Sequence, residues 1–139
     1  MKPDSHSTTI STLTPSFEKA WDEYVNKSDK STLYHLLGWR DVYETTYKHQ
    51  SKFLIAVKCD NLVGVLPLFV IKRPLIKNYL VSGFFGSYES ALADSPKTEL
   101  LLINEAKRLT AEQNAGWLEI KSMSQLPDQH DLKENKEFV

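Results

Sequence analysis

Hydrophobic and polar positions alternate most clearly between residues 52 and 85, where the pattern predicts an antiparallel meander of three strands. The expected strands cover about 52–58, 62–72 and 79–85. Between the first two, Asp60 and Asn61 lie where a two-residue hairpin needs positive φ, which both residue types tolerate. The second strand is apolar on both faces, so we expect it to be central and covered by helices on both sides.

Pro67 interrupts this apolar central strand. A proline has no N–H to donate to a strand ladder, so its presence predicts a bulge, or a splay at which one neighbour is not hydrogen-bonded. A splayed sheet can admit a ligand.

Apolar residues at helical spacing predict three helices, beginning at Pro15, at Leu33 and near Lys97. The second is expected to end at Lys48 and the third near Asn114. Short strands are expected at 8–13 and 117–122. The resulting order β-α-α-β-β-β-α-β is typical of an α/β (α+β) fold with a mixed sheet covered by helices.

Length and composition restrict the function classes. The 139 residues suffice for one domain, and 17 basic against 18 acidic side chains give no sequence-wide attraction to nucleic acid or anionic lipid. The single cysteine, Cys59, excludes an intrachain disulfide and fits a reducing, cytoplasmic compartment. No apolar run approaches the roughly 20 residues of a membrane span.

Four strings add a family resemblance to this pattern: Tyr34–Arg40, Val63–Leu68, Leu80–Ser82 with Phe85 and Tyr88, and Leu118–Lys121. In this order and spacing they resemble the N-terminal region of FemAB-like acyltransferases, which have the GNAT fold. This group includes peptidoglycan aminoacyl transferases and proteins associated with exopolysaccharide and exosortase loci. Its members are much longer, so the resemblance implies a truncated chain, with a half-domain at 1–124 and a tail or the start of a second half at 125–139.

The resemblance implies the N-terminal portion of an N-acyl or aminoacyl transferase of cell-envelope or exopolysaccharide biosynthesis, inactive alone. An acyl-coenzyme A or aminoacyl-tRNA donor would require the missing half. One alternative is a non-catalytic binding or scaffolding module derived from this fold. Another is a small acetyl-coenzyme A-dependent N-acetyltransferase. The expected partner is the missing C-terminal half or a second copy bound through the last strand, whose edge only Glu119 and Lys121 protect.

The segment 88–98 argues against coenzyme A binding. GNAT enzymes hold the pyrophosphate on backbone N–H groups of a glycine-rich loop that begins a helix. The corresponding segment here contains no glycine and carries Glu89 and Asp94, with Glu99 directly after it. Glu89 and Ser90 stand where the resembling family has glycines. We therefore expect no cofactor to bind this chain.

Five residues are candidates for chemistry or binding. His35 could be a general base, although capping of a helix start is the simpler interpretation. Glu119 could serve as a base if it were buried, whereas a surface position is simpler. Trp39 could contact substrate or fill the core. Ser87 and Tyr88 follow a strand at the predicted cleft and are expected to contact ligand. The histidines form no metal-ligand spacing.

Overall fold

The structure, a computed structural model, describes residues 7–82 and 91–120. Its helices are α1 (Glu18–Lys27), α2 (Leu37–Tyr47) and α3 (Pro96–Glu112), with short 3-10 helices at Pro15–Phe17 and Leu33–His35. Its strands are β1 (Thr9–Thr12), β2 (Gln50–Ser51), β3 (Leu54–Lys58), β4 (Asn61–Leu66), β5 (Phe69–Ile71), β6 (Tyr79–Val81), β7 (Leu92–Ala93) and β8 (Leu118–Glu119). No helix in the described part is long and apolar enough to cross a membrane.

The strands form two four-stranded sheets, in the orders β1-β3-β4-β7 and β2-β5-β6-β8. All pairs are antiparallel except β6 and β8, which are parallel. Ile55 and Val65 pack with α1 and α2 on one face, whereas Ala56 and Leu66 pack with α3 on the other. The expected mixed sheet between helical layers is confirmed, and this alternation between neighbouring residues defines the two layers of core.

The central strand is divided at Pro67, as the missing N–H predicts. The single strand expected over 62–72 is wrong, because β4 ends at Leu66 and β5 begins at Phe69. β4 lies between β3 and β7, whereas β5 lies between β2 and β6. β4 also contacts both α1 and α3, which confirms that helices cover it on two sides.

The hairpin turn between β3 and β4 is one residue earlier than the sequence suggests. Positive φ falls on Cys59 (52°) and Asp60 (64°), and Asn61 is already the first residue of β4, opposite Lys58. The Asn61 side-chain amide donates to the Cys59 carbonyl at 3.1 Å. Register explains the difference, because a one-residue shift would turn the apolar side chains of β4 to the opposite faces.

α2 begins later than expected because its cap comes from another helix. Leu36 is extended (φ −68°, ψ 143°), and an apolar side chain cannot accept from the first helical N–H groups. Asp22 of α1 supplies the acceptor: the Leu37 N–H donates to its Oδ1 at 3.0 Å. Sequence periodicity contains no signal for such a tertiary cap.

β2 and β7 were missed entirely, since two-residue strands are too short to show alternation. The third helix ends at Glu112, slightly before its expected end. The reversal there uses Asn114 in the left-handed region (φ 51°), with the Ala115 N–H bonded to the Thr110 carbonyl at 2.9 Å.

Two glycines provide a matched test of the packing between β4 and α3. A Cβ on Gly64 would lie 3.0 Å from Leu102 Cδ1 and 3.1 Å from both the Leu92 carbonyl oxygen and Thr98 Cγ2. We expect Gly64→Ala to lower the free energy of unfolding by about 1–3 kcal/mol through overpacking.

Gly38 is the control, because nothing lies within 4 Å of its added Cβ and it stands in α2. Gly38→Ala should raise the free energy of unfolding by up to about 1 kcal/mol through helix propensity. Urea denaturation of both variants measures the difference. Equal effects in the two variants would contradict the close approach of β4 to α3.

Candidate functional site

The candidate site is a fork in the sheet between β7 and β8. β8 pairs with β6 through Leu80 opposite Leu118 and Val81 opposite Glu119. β7 follows β6 along the chain but pairs with β4 in the other sheet. Within residues 7–82 and 91–120, no ladder joins β7 to β8. β7 and β8 therefore belong to different sheets, and we call the unpaired place between them the fork.

The fork lies over α3. Ala91 and Ala93 on one side, and Leu118 and Ile120 on the other, pack in the same apolar cluster as Leu102 of α3. Only two residues separate the end of β7 from the start of the helix, so the helix N-terminus borders the fork. This is the position at which a GNAT enzyme would hold a phosphate.

At the start of α3, Pro96 has no N–H group and two further N–H groups are already bonded. Pro96, the first helical residue, has no N–H. The Thr98 N–H donates to Ser95 Oγ at 3.2 Å, and the Glu99 N–H donates to the Ser95 carbonyl oxygen at 3.1 Å. Ser95 thus caps the helix from within the chain. An incoming phosphate would have to compete with these bonds.

A carboxylate stands in front of the same helix. Asp94 Oδ1 accepts a hydrogen bond from the Tyr24 hydroxyl at 2.7 Å, and the hydroxyl oxygen is 3.1 Å from the Val63 carbonyl. Burial, and then the bond to Asp94 and its charge, raise the pKa of Tyr24 well above 10.0. Tyr24 of α1 therefore bonds the carboxylate of Asp94, the residue directly before the cap.

His35 acts as a cap and a core residue. It is fully buried, and its Nδ1 accepts from the Thr32 N–H at 3.0 Å. Its carbonyl oxygen accepts from the buried indole N–H of Trp21 at 2.8 Å, and Trp21 stacks on Phe53. The geometry supports the simpler interpretation, in which His35 ends one helix segment and anchors the α1–α2 connection.

Glu119 is exposed, so the burial that its proposed role as a base requires is absent. Its Oε1 accepts from the Trp117 indole N–H at 3.0 Å. The surface position, the simpler of the two interpretations of Glu119, is therefore the one that the structure shows.

Trp39 is partly buried in a row of aromatic rings on α2. Its centroid lies 5.1 Å from that of Tyr34 and 6.1 Å from that of Tyr43. It packs against the cluster that contains Val81 and Leu92, the strand-end residues on either side of 82–91. This position is compatible with both interpretations of Trp39, as core filler and as wall of a binding site. Ser87 and Tyr88 lie outside the described residues, as do Glu89, Ser90 and Lys121.

Sequence reasoning missed the Tyr24–Asp94 contact and an aromatic–cation stack at β6 and β8. The Tyr79 and Trp117 rings stack at 4.6 Å, and the Arg73 guanidinium lies 4.4 Å from the Trp117 centroid. In the sequence, the only signals for these contacts are hydroxyl and indole groups within otherwise apolar stripes. The described residues contain no group of three His, Cys, Asp or Glu side chains that could hold a metal ion.

Comparison with solved structures identifies the fold. The chain superposes on a GNAT family acetyltransferase from Staphylococcus aureus with a TM-score of 0.62 at 11% identity, covering 96% of both chains. It is also similar to a structure titled transcriptional regulator from Bacillus halodurans C-125, with a TM-score of 0.63 at 13% identity, over 96% of this chain and 97% of that one. The protein thus has the fold of GNAT acetyltransferases.

A second likeness is to FemX, with a TM-score of 0.56 at 18% identity. It covers 77% of this chain but 25% of FemX, so the chain corresponds to about a quarter of that protein. No protein-family model and no curated protein sequence matches the chain.

The Tyr24 hydroxyl yields a prediction of stability with a defined pH dependence. Tyr24→Phe should lower the free energy of unfolding by about 1 kcal/mol, the typical net contribution of one such hydrogen bond. Because the folded state raises the pKa of Tyr24, this contribution is complete below pH 10.0 and declines as the pH rises further.

Urea denaturation at neutral and at alkaline pH tests this. The difference in the free energy of unfolding between wild type and Tyr24→Phe should narrow at alkaline pH. Tyr34→Phe alters an exposed tyrosine and should leave the free energy of unfolding almost unchanged at either pH. A difference in the free energy of unfolding that widens as the pH rises would contradict the stabilising role of the Tyr24 hydroxyl.

Proposed function

We propose that this chain is a GNAT-like unit of a FemAB-type N-acyl or aminoacyl transferase of cell-envelope or exopolysaccharide biosynthesis. In this proposal it contributes the acceptor side of the site, with residues 1–124 as the GNAT-like half-domain. Alone it is inactive, because the donor is held by a second half or a partner chain. The fold and the likeness to FemX support this placement.

The observation that carries the proposal is the start of α3. A GNAT enzyme that uses coenzyme A needs free N–H groups there, but this helix has Pro96, a cap from Ser95 and the Asp94 carboxylate. A transferase unit that does not hold its own coenzyme A must obtain the activated acyl group in another way.

The chemistry of the proposal is attack by a substrate amine on the carbonyl of the acyl donor. The chain would position the amine and shield it from water at the fork, and free backbone donors of diverging strands would stabilise the developing oxyanion. Trp39, Ser87 and Tyr88 are the proposed acceptor contacts, with Trp39 supplying an apolar wall.

Isothermal titration calorimetry tests both sides of the proposal. Acetyl-coenzyme A should give no measurable binding at micromolar concentrations, while a GNAT acetyltransferase measured in parallel shows the expected heat. A synthetic stem peptide with a free lysine amine should bind, and Trp39→Ala should weaken that binding about tenfold, as truncation of an aromatic contact does.

Trp117→Ala is the matched control, since this tryptophan is 40% exposed and lies directly before β8 rather than on α2. It should leave peptide binding unchanged. Micromolar binding of acetyl-coenzyme A would instead favour the small N-acetyltransferase. The S. aureus GNAT acetyltransferase, which has a similar length, is the comparison that supports this alternative. Binding of the peptide with no transfer in the presence of any partner would favour a non-catalytic module.

The edge of β8 generates a separate prediction. In the described part of the chain β8 is bonded on one side, where the Leu80 and Ser82 N–H groups donate to the Trp117 and Glu119 carbonyls. Successive residues of a strand direct their N–H groups to alternate sides, so the N–H of Ile120 points away from β6. A further strand could pair with β8 on that side. We expect self-association through this edge.

Light scattering at high micromolar concentration should show a dimer or larger species. Ile120→Pro removes the outward N–H and should shift the protein towards monomer, whereas Ile120→Val should not. A stable monomeric wild type would count against pairing through β8.

A further inference from the structure

The loop of residues 72–78, between β5 and β6, carries an apolar tip flanked by cations. Leu75 is fully exposed (105%) and Ile76 is 59% exposed. Lys72 and Lys77 are exposed on either side of this tip. We refer to these seven residues as the basic loop. Single exposed apolar residues are common, but an adjacent pair at the tip of a loop is a candidate contact surface.

The fold gains nothing from the leucine at position 75. Its φ of 66° lies in the left-handed region, where glycine or asparagine is favoured and a Cβ is strained. Its side chain is completely exposed, so packing does not offset that strain. Both arguments indicate that Leu75 serves a contact outside the folded chain.

The basic loop is a built structure rather than a loose connection. The Arg73 N–H donates to Asn78 Oδ1 at 3.2 Å, and Arg73 Nε donates to the Lys77 carbonyl at 2.9 Å. The Asn78 carbonyl in turn accepts from the Gly116 N–H at 2.7 Å. These bonds fix the loop to the start of β8 and hold the tip in place, so little ordering is needed when it binds.

The charge around the tip is positive. The chain has no acidic residue between Asp60 and Glu89, whereas Lys72, Arg73 and Lys77 lie within the loop. At the base of the loop, the Glu119 carboxylate accepts from the Trp117 indole N–H. Three cations against one carboxylate give a local excess that the net charge of −1 conceals.

Trp117 and Tyr79 form the base of the loop. The Trp117 ring is 40% exposed and stacks on Tyr79, and the Arg73 guanidinium covers it. Amphipathic rings beside cationic side chains are favoured at the boundary between lipid head groups and acyl chains.

We propose that the basic loop is a docking site for an anionic membrane surface. Leu75 and Ile76 enter the interface, Lys72 and Lys77 contact anionic head groups, and Trp117 with Tyr79 lies at head-group level. A protein partner fits less well, because two exposed apolar side chains provide far less than the roughly 800 Å² per partner of a stable interface. The proposal is independent of the transferase assignment.

Vesicle flotation with the full chain tests this. Binding is expected to vesicles of phosphatidylcholine with about one third phosphatidylglycerol, to be weak on phosphatidylcholine alone, and to fall with added salt. Lys72→Gln/Lys77→Gln and Leu75→Ser/Ile76→Ser should each reduce binding about tenfold or more.

Matched control variants are available elsewhere on the chain. Lys27→Gln/Lys30→Gln removes two other exposed lysines, and Leu33→Ser/Val42→Ser removes two other exposed apolar side chains. Both should bind vesicles like the wild type. Far-UV circular dichroism confirms that each variant is folded.

A site-specific probe locates the contact. Cys59 is exposed in the β3–β4 turn, at the opposite end of the central strands from the basic loop. An environment-sensitive fluorophore on Leu75→Cys, in a Cys59→Ser background, should shift to the blue with vesicles and be quenched by spin-labelled lipid. The same fluorophore on native Cys59 should not respond.

Three results would overturn the proposal. The first is no binding of the wild type to anionic vesicles at low salt. The second is binding that the loop variants and the control variants reduce equally. The third is concentration-dependent self-association, without vesicle binding, that Leu75→Ser/Ile76→Ser abolishes, since the tip would then meet a second copy.

Discussion

The missing N–H of Pro67 is the constraint on which the arrangement of this sheet depends. A strand apolar on both faces would otherwise run unbroken from Asn61 to Ile71 and pair along its whole length. Because Pro67 cannot donate, β4 and β5 become separate elements with different neighbours. The adjacent strand is interrupted at the same level: the Lys52 N–H, between β2 and β3, donates to the Leu68 carbonyl at 2.8 Å.

This division determines where the fork can form. β6 belongs to the sheet of β2 and β5, and β7 belongs to the sheet of β3 and β4. β8 pairs with β6, and in the described part of the chain no ladder joins it to β7. The core remains continuous underneath, because Leu66 and Leu68 stay buried against α3 on either side of the proline. The sheet therefore loses hydrogen bonds at one level without losing apolar burial, which keeps the cost of an open fork small.

The sequence predicted what local patterns encode and failed where distant residues decide. Helices, the meander and the break at Pro67 follow from periodicity and from proline chemistry. The start of α2 depends on Asp22, fifteen residues away, and the chain turns at Cys59–Asp60 because of register against β3. Among the site residues, the structure places His35 in a cap and leaves Glu119 exposed, which are the simpler interpretations of both. Whether a strand residue such as Glu119 is exposed is set by the topology of the sheet, which the local pattern does not contain.

The start of α3 shows why fold and function separate in this protein. The chain matches GNAT acetyltransferases over nearly its whole length, yet a few residues decide whether phosphate can bind at that helix. Ser95 accepts from the N–H of Thr98, Pro96 has no N–H, and Tyr24 bonds the carboxylate of Asp94, the residue before the cap. A cap supplied by the chain stabilises the helix, and an anion at this helix start would have to compete with that cap for the N–H of Thr98.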